Sequence, residues 1–253
     1  SRSNRRFQAL SALIALIIGF AFSAKADPYG YSHTTVGYEW ESLTAASGGP
    51  SHSSSSVAYT WQNCSRTGWG PSNDDGYKTV SIGFNFPFYN NSYSTVHIGT
   101  NGFMGFGSTS RMYDYSPDAI PSSNDPDNIV APLWTDLNPS RGGSIWYCRT
   151  TAYGQQALVV NWVGVPYYYN TSPNTFQAVL LANGEIRFNY DYVASYRTYT
   201  TGVENQNGTL GTQVWRRSSS MNDVSLRFIP PGGAAGPVNA QHVNFSDDSV
   251  RGG

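Results

Sequence analysis

Apolar and polar residues alternate with a period of two along most of this chain, and no 3.6-residue apolar period is sustained after residue 26. Strands with one buried face are therefore expected, and helices are not. The densest stretch is Thr79 to Gly107, TVSIGFNFPFYNNSYSTVHIGTNGFMGFG. Val80, Ile82, Phe84 and Phe86 alternate with smaller or polar residues. Pro87 lacks an N–H and is expected to end ladder pairing there. Asn90-Asn91 reads as a turn, and Val96 and Ile98 resume the alternation. Asn101-Gly102 between apolar runs reads as a type I′ hairpin turn, in which both central residues need positive φ, leading into Phe103, Met104 and Phe106.

The same reading places strands at Val36–Trp40 and Val57–Trp61 before this stretch, with a turn at 72–76. After Gly107 an irregular polar run reaches Asn128 and holds Pro117, Pro121 and Pro126. A loop of this length in a compact domain is expected to be functional or mobile. Ile129–Trp134 is an apolar strand interrupted by Pro132, which points to a sheet edge or a bulge. Ser144–Arg149 and Ala157–Val163 flank a Tyr153-Gly154 turn, and Thr175–Leu181 and Glu185–Tyr190 form a hairpin about Asn183-Gly184. In that hairpin Ile186, Phe188 and Tyr190 are expected to face the core, and Arg187, Asn189 and Asp191 the solvent. Thr201–Glu204, an Asn207-Gly208 turn and Val224–Ile229 complete the pattern. About a dozen short strands separated by turn signals imply an all-β protein, an antiparallel β-sandwich of jelly-roll-like form.

Both ends of the chain depart from this pattern. Arg2, Arg5 and Arg6 precede an apolar run from Ala9 to Ser23 and the small-x-small triplet Ala24-Lys25-Ala26, so residues 1–26 read as a cleavable signal peptide. Residues 27–229 are expected to form one domain. Pro230 to Pro237, PPGGAAGP, opens a linker and polar tail over residues 230–253. Losing the leader's four basic groups leaves 11 of the 15 basic residues against 16 acidic ones, a net charge of −5. A nucleic-acid or anionic-membrane binder would show a clustered basic excess instead, so neither partner is expected, and no stable membrane insertion after cleavage. Export also bears on the two cysteines, Cys64 and Cys148. In an oxidising compartment they are expected to form a disulfide, which on the chain-entropy model stabilises by roughly 4–5 kcal/mol.

Catalytic patterns are weak. The histidines are His33, His52, His97 and His242, and no Gly-x-Ser-x-Gly elbow occurs. His97 alternates with Val96 and Ile98 and so reads as a surface or hydrogen-bonded residue. Asp136 and Glu204, both at strand ends, are the candidates for a glycosidase carboxylate pair, with turn capping as the plainer reading. Zinc finds no close ligand spacing among the cysteines and histidines. Calcium finds oxygen-rich turns at Asp74, Asp75, Asp125 and Asp127, none of them with EF-hand spacing. The strongest binding signal is aromatic: Tyr167, Tyr168 and Tyr169 in a Pro-started loop, Trp69 between glycines, and Tyr113 and Tyr115 in the long irregular run. Exposed Tyr and Trp supply rigid contact area with a polar tip, suited to a protein surface or a sugar ring. Asn63, Asn90, Asn170, Asn207 and Asn244 begin Asn-x-Ser/Thr sequons, which matter only if the source glycosylates.

Five pieces in a fixed order carry a family resemblance: GFNFPFYNNSYSTVHIGTNGFMGFG, NIVAPLWTDLNP, ALVVNWVGV, TFQAVLLANGEIRFNY and TTGVENQNGTLGTQ. Over about Tyr59 to Ile229 the chain resembles nidogen-like and plexin-domain-containing extracellular β-sandwich domains, especially their counterparts in secreted bacterial proteins. The resemblance implies a non-catalytic secreted or cell-surface module of the kind found in adhesion and matrix proteins or appended to secreted enzymes, and the loop aromatics point to a protein or glycan as what it binds. Two alternatives stand beside it. One is an accessory domain of a larger secreted hydrolase, and the other a self-associating subunit of a surface fibre or matrix.

Overall fold

The computed structural model describes residues 30–41, 62–63 and 74–232, with backbone only at 62 and 63. The leader, Val57–Trp61, Cys64, Trp69 and the tail after residue 232 lie outside these residues. Thirteen strands are described: β1 Ser32–Val36, β2 Gln62–Asn63, β3 Gly76–Phe88, β4 Asn91–Gly99, β5 Met104–Gly105, β6 Ile129–Trp134, β7 Ser144–Ala152, β8 Gln155–Pro166, β9 Pro173–Leu181, β10 Ile186–Val193, β11 Tyr199–Glu204, β12 Gly211–Arg217 and β13 Met221–Ile229. A 3₁₀ turn covers Pro139–Arg141. The strands form two antiparallel sheets, one in the order β1-β13-β10-β9-β8-β7 and one in the order β12-β11-β6-β5-β4-β3-β2. The expected β-sandwich is what the chain forms.

The inner faces carry the alternation read from the sequence. Ile82, Phe86, Phe88, Val96, Ile98 and Phe106 of one sheet meet Trp162, Phe176, Phe188, Tyr190, Leu226 and Phe228 of the other in one buried cluster. Large aromatics can close such a core only if their polar tips find acceptors. Trp162 Nε1 donates to Gly99 O at 3.1 Å, Tyr190 OH to Pro132 O at 2.7 Å and Tyr31 OH to Gly184 O at 2.8 Å. The Trp162 and Tyr190 bonds run from one sheet to the other, so the layers are pinned as well as packed, and the Tyr31 bond ties the chain before β1 to the β9–β10 turn of its own sheet.

Several local expectations are corrected. Pro87 does not end β3; the ladder continues as Pro87↔Ser92 and Phe88↔Asn91. Among the described residues β2 pairs only Tyr77 and Gly76, so at Pro87 no described strand lies on that side and the missing donor costs no described ladder bond. Asn101-Gly102 is not a type I′ turn, since only Gly102 has positive φ (+72°) and the closing bond is Gly99 N to Phe103 O. β6 is a central strand, between β11 and β5, rather than an edge. Its proline sits opposite an irregularity between Thr200 and Gly202, and Pro132 O accepts from Tyr190 and Thr201 hydroxyls. The bulge expected at Pro132 is therefore present.

The outer faces hold the larger surprise. Residues 108–128 have no strand, as expected, but they are packed down as a cover. Met112 and Ile120 close over Tyr77, Phe103, Ile129, Ala131 and Trp134 on the outer face of the second sheet. Trp134 Nε1 donates to Asp114 O at 3.1 Å, Thr200 Oγ1 to Asp118 O at 2.7 Å, and Ile120 N to Gln213 Oε1 at 3.0 Å. On the other sheet Arg187 and Asn189 are buried, not solvated. Asn161, Gln177 and Asn189 form an amide row across β8, β9 and β10, with Gln177 Nε2 donating to Asn161 Oδ1 at 2.8 Å and Asn189 Nδ2 to Gln177 Oε1 at 2.7 Å. Gln177 also holds the backbone of Glu41, and Glu185 bridges Arg187 and Arg227, each at 2.7 Å. The segment through Glu39 and Glu41 thus straps this face.

Candidate functional site

One end of the sandwich gathers loops from six parts of the chain. Asp74 and Asp75 lead into β3, and the Asn101-Gly102 turn joins β4 to β5. Tyr113 lies in the covering loop, and Asp136 to Arg141 follow β6. Tyr167 to Asn170 follow β8, and Tyr196 and Arg197 precede β11. Asn101, which is fully buried, organises them. Its Nδ2 donates to Asp75 Oδ1 at 2.8 Å and to Tyr113 O at 3.2 Å, and its Oδ1 accepts from Leu137 N at 3.0 Å. A short amide side chain is the one that can donate to two loops while accepting from a third. Asn138 Oδ1 caps the following turn by accepting from Ser140 N at 2.9 Å. The loop after β8 is tied in by Tyr168 N donating to Asp136 O at 3.0 Å.

Charge and aromatic surface alternate on this rim. Arg197 pairs with Asp136 at 2.5 Å, and its guanidinium lies 6.0 Å from the Tyr169 ring. Arg141 lies 5.5 Å from the Tyr168 ring, and Tyr168 and Tyr169 meet edge to face at 4.5 Å. Tyr169 is 69% exposed, the most exposed large apolar side chain described. Asp74, Asp75 and Asp136 bring carboxylate oxygens within 4.8 Å of one another. Burial, with Asp75 and Asp136 adding to it, pushes the Asp74 carboxyl up to about 7. Burial also raises Asp136, which Arg197 opposes. Hard oxygen donors at this spacing suit a divalent cation such as calcium.

The residues singled out from the sequence divide between places. Asp74, Asp75, Tyr113, Tyr168 and Tyr169 come together at the rim. Tyr167 does not join them: it is fully buried, pairs with Leu137 in an isolated bridge, and donates its OH to Ala194 O at 2.9 Å. Tyr115, two residues after Tyr113, is 36% exposed. Asp125 and Asp127 line a cavity at the opposite end of the second sheet, so the four aspartates do not make one set. Cys148 is half-buried on β7, and its expected partner Cys64 lies outside the described residues. Asn101, Arg141 and Arg197 carry no local pattern that marks them. Only the Asn-Gly turn signal at Asn101 pointed to that position, and it pointed to a hairpin.

Neither catalytic candidate survives the geometry. Glu204 pairs with Ile129 at one end of the β11–β6 ladder, and Thr200 with Trp134 at the other. Asp136 follows Trp134, so the two carboxylates are about 20 Å apart at ~3.3 Å per residue, beyond the ~10 Å that a glycosidase pair spans. His97 is buried, with its ring nitrogens against Thr79 Oγ1 at 2.8 Å and Gly107 O at 3.3 Å, and burial lowers its pKa. It is the hydrogen-bonded histidine of the two expected readings.

A family model described as NIDO related matches residues 51–246. Among curated proteins the chain is similar to alpha-tectorin of Gallus gallus, 28% identical over 187 residues, covering 63% of this chain and 9% of the relative. It is similar to alpha-tectorin of Homo sapiens at 28% over 172 residues, covering 57% of this chain and 8% of the relative. The chain therefore spans less than a tenth of the length of these relatives. They are vertebrate proteins, and they lend nothing to a particular likeness with secreted bacterial counterparts. No solved structure gives a significant match.

Proposed function

We propose, because the chain belongs to the NIDO-related family, that it is a non-catalytic extracellular binding module whose partner contacts the loop rim. The observation that carries this reading is the exposed Tyr169 beside Tyr168, flanked by Arg141 and Arg197 and backed by the acidic trio. Tyrosine and arginine on a pre-ordered, mixed-charge surface are the side chains that dominate protein–protein contacts. Asn101 holds the loops beneath them, so little ordering cost falls on association. The similarity to a small part of alpha-tectorin, a protein of extracellular matrix, supports a module that works within a larger extracellular assembly. Among the described residues no helix is long and apolar enough to cross a membrane.

The rim is tested by binding to immobilised panels of extracellular proteins and oligosaccharides. Tyr169→Ala combined with Tyr168→Ala is expected to weaken capture at least about tenfold, roughly 1.4 kcal/mol, without changing Tm by more than a few degrees. Capture unaffected by the pair of substitutions removes the rim as the contact surface. Sedimentation of the same variants separates partner binding from self-association: oligomers lost with Tyr169 would make a second copy of the chain the partner.

Calcium, if it binds this module, is expected at Asp74, Asp75 and Asp136 and not at Asp125 and Asp127 jointly. Its addition then raises the Tm of the wild-type protein and leaves Asp74→Asn unchanged, because a ligand of the native state must add stability. A wild-type Tm indifferent to millimolar calcium ends this reading.

A further inference from the structure

At the end of the second sheet opposite the rim lies an open pocket of about 170 Å³, lined by Tyr93 of β4, Phe106, Asp125, Asp127, Asn128 and Gln206, with Ser108 and Ser110 also on its lining. β4 reaches the rim at Gly99 and this cavity near its other end, at Tyr93, so the two places are about a strand length apart. The walls are built by the fold. Asn128 adopts φ +60°, a conformation that asparagine tolerates better than most residues, and its N–H donates to Asn205 O at 2.9 Å. Its Nδ2 is shared between Tyr93 OH at 2.9 Å and Phe106 O at 2.8 Å. That clamp holds the Tyr93 ring stacked on Phe106, with centroids 4.8 Å apart and planes 23° apart. Gln206 is steadied by Asn91 Nδ2, which donates to Gln206 Oε1 at 3.2 Å and leaves the Gln206 amide protons to serve another acceptor.

The chemistry of the lining selects its occupant. Among the described residues two carboxylates and no lysine, arginine or histidine line the pocket, so a phosphate, sulfate or carboxylate ligand is repelled. Asp127 lines the pocket, and its Oδ1 is buried against Gly208 with no hydrogen-bond partner among the described residues. Burial, and then the neighbouring Asp125, raise the Asp127 pKa, as expected for a carboxylate short of donors. Donors are present too, on Gln206, Tyr93 and the two serines. An ammonium group only donates and would leave these unanswered. Hydroxyl groups donate and accept at once, and a sugar ring adds an apolar face that an aromatic side chain can meet.

We infer that this cavity is a saccharide subsite, taking one neutral pyranose whose hydroxyls donate to Asp125 and Asp127 and accept from Gln206, with the Tyr93 ring along one wall. This subsite is separate from the rim and stands whether or not the rim binds a protein.

Calorimetric titration of the folded chain with a panel of neutral methyl pyranosides tests it. At least one is expected to bind with a Kd on the order of 1 mM, as a single-residue subsite would. The matching methyl uronate is expected to bind at least about tenfold more weakly, because its carboxylate meets Asp125 and Asp127. Asp127→Ala and Gln206→Ala are each expected to weaken the pyranoside by about tenfold. Asp127→Ala should do so without lowering Tm, since its buried oxygen has no partner to lose. Tyr169→Ala should leave pyranoside binding unchanged, which keeps this result apart from the rim's. Three outcomes overturn the inference: no pyranoside binding at tens of millimolar, binding indifferent to both variants, or binding of methylammonium in place of every pyranoside.

Discussion

Gly102→Val is expected to prevent folding, or to destabilise the domain by more than about 4 kcal/mol, the range reserved for substitutions with a specific structural cause. Gly102 has φ +72°, and a Cβ there would stand 2.1 Å from Leu133 O and 2.9 Å from Leu133 C. Neither backbone can retreat. Leu133 N donates to Gly102 O at 3.0 Å and Thr135 N to Asn101 O at 3.1 Å, so the turn and β6 are already joined by hydrogen bonds. A β-branched side chain in this conformation adds strain of its own. Gly154→Ala is the control. It has φ +73° but nothing within 4 Å of its Cβ, so it should cost only the conformational strain, about 1 kcal/mol. Urea midpoints of the two variants measure the difference. A Gly102→Val protein as stable as Gly154→Ala would mean that the turn is not locked to β6. The rim would fail with the turn, since Asn101 is the residue that orders it.

Glu204→Gln is expected to make the protein more stable at pH 8 and to flatten its dependence on pH. Glu204 is 1% exposed, and burial pushes its carboxyl up to about 8, with Asp127 and Asp118 adding to the effect and the Ser122 N–H opposing it. The unfolded carboxyl titrates near 4.5, so between the two values the native state holds a proton that the unfolded state has lost. Stability contributed by this group therefore falls as pH rises from about 4.5 to about 8 and is level outside that window. The loss is on the order of 2 kcal/mol after allowing for partial solvation of the carboxylate. Glutamine keeps a carbonyl to accept from Ser122 N, so the covering loop stays fastened. Denaturant unfolding at pH 5, 6.5 and 8 reads the slope. Parallel slopes for wild type and variant would show that Glu204 is ionised in the folded protein throughout.

Misreadings of the sequence share a cause. Arg187 and Asn189 alternate with Ile186, Phe188 and Tyr190 as solvent-facing residues would, yet they are buried because another segment of the chain crosses that face. The covering is made by Glu39 and Glu41, 136 or more positions away from Gln177, Arg187 and Ser225 in the chain, and no local pattern encodes it. The run 108–128 looks like a loop by composition and is one. Its Met112 and Ile120 are two apolar residues among polar ones, too few to announce a buried layer. One signal was available: β6 reads IVAPLW without alternation, the mark of a strand covered on both faces, and all six residues are buried. Tyr167, Tyr168 and Tyr169 are identical in type, so composition cannot rank them. The bridge to Leu137 turns the first inward and leaves the third in solvent.

Period-two alternation and Gly, Asn and Pro punctuation were enough to establish an antiparallel sandwich, most of its strands and its inner core, because these are local consequences of pleat and turn geometry. The ordered motifs from the first aromatic strands to the last hairpin were enough to place the chain beside its family. The tertiary structure alone decided which polar residues are buried, which tyrosine is exposed and which carboxylates meet. Asp74, Asp75 and Asp136 converge only because β3, the Asn101 turn and β6 end together, while Asp125 and Asp127 are carried by the far end of β6 to another cavity. Such convergence depends on contacts between residues tens of positions apart, and short-range residue patterns hold no record of them.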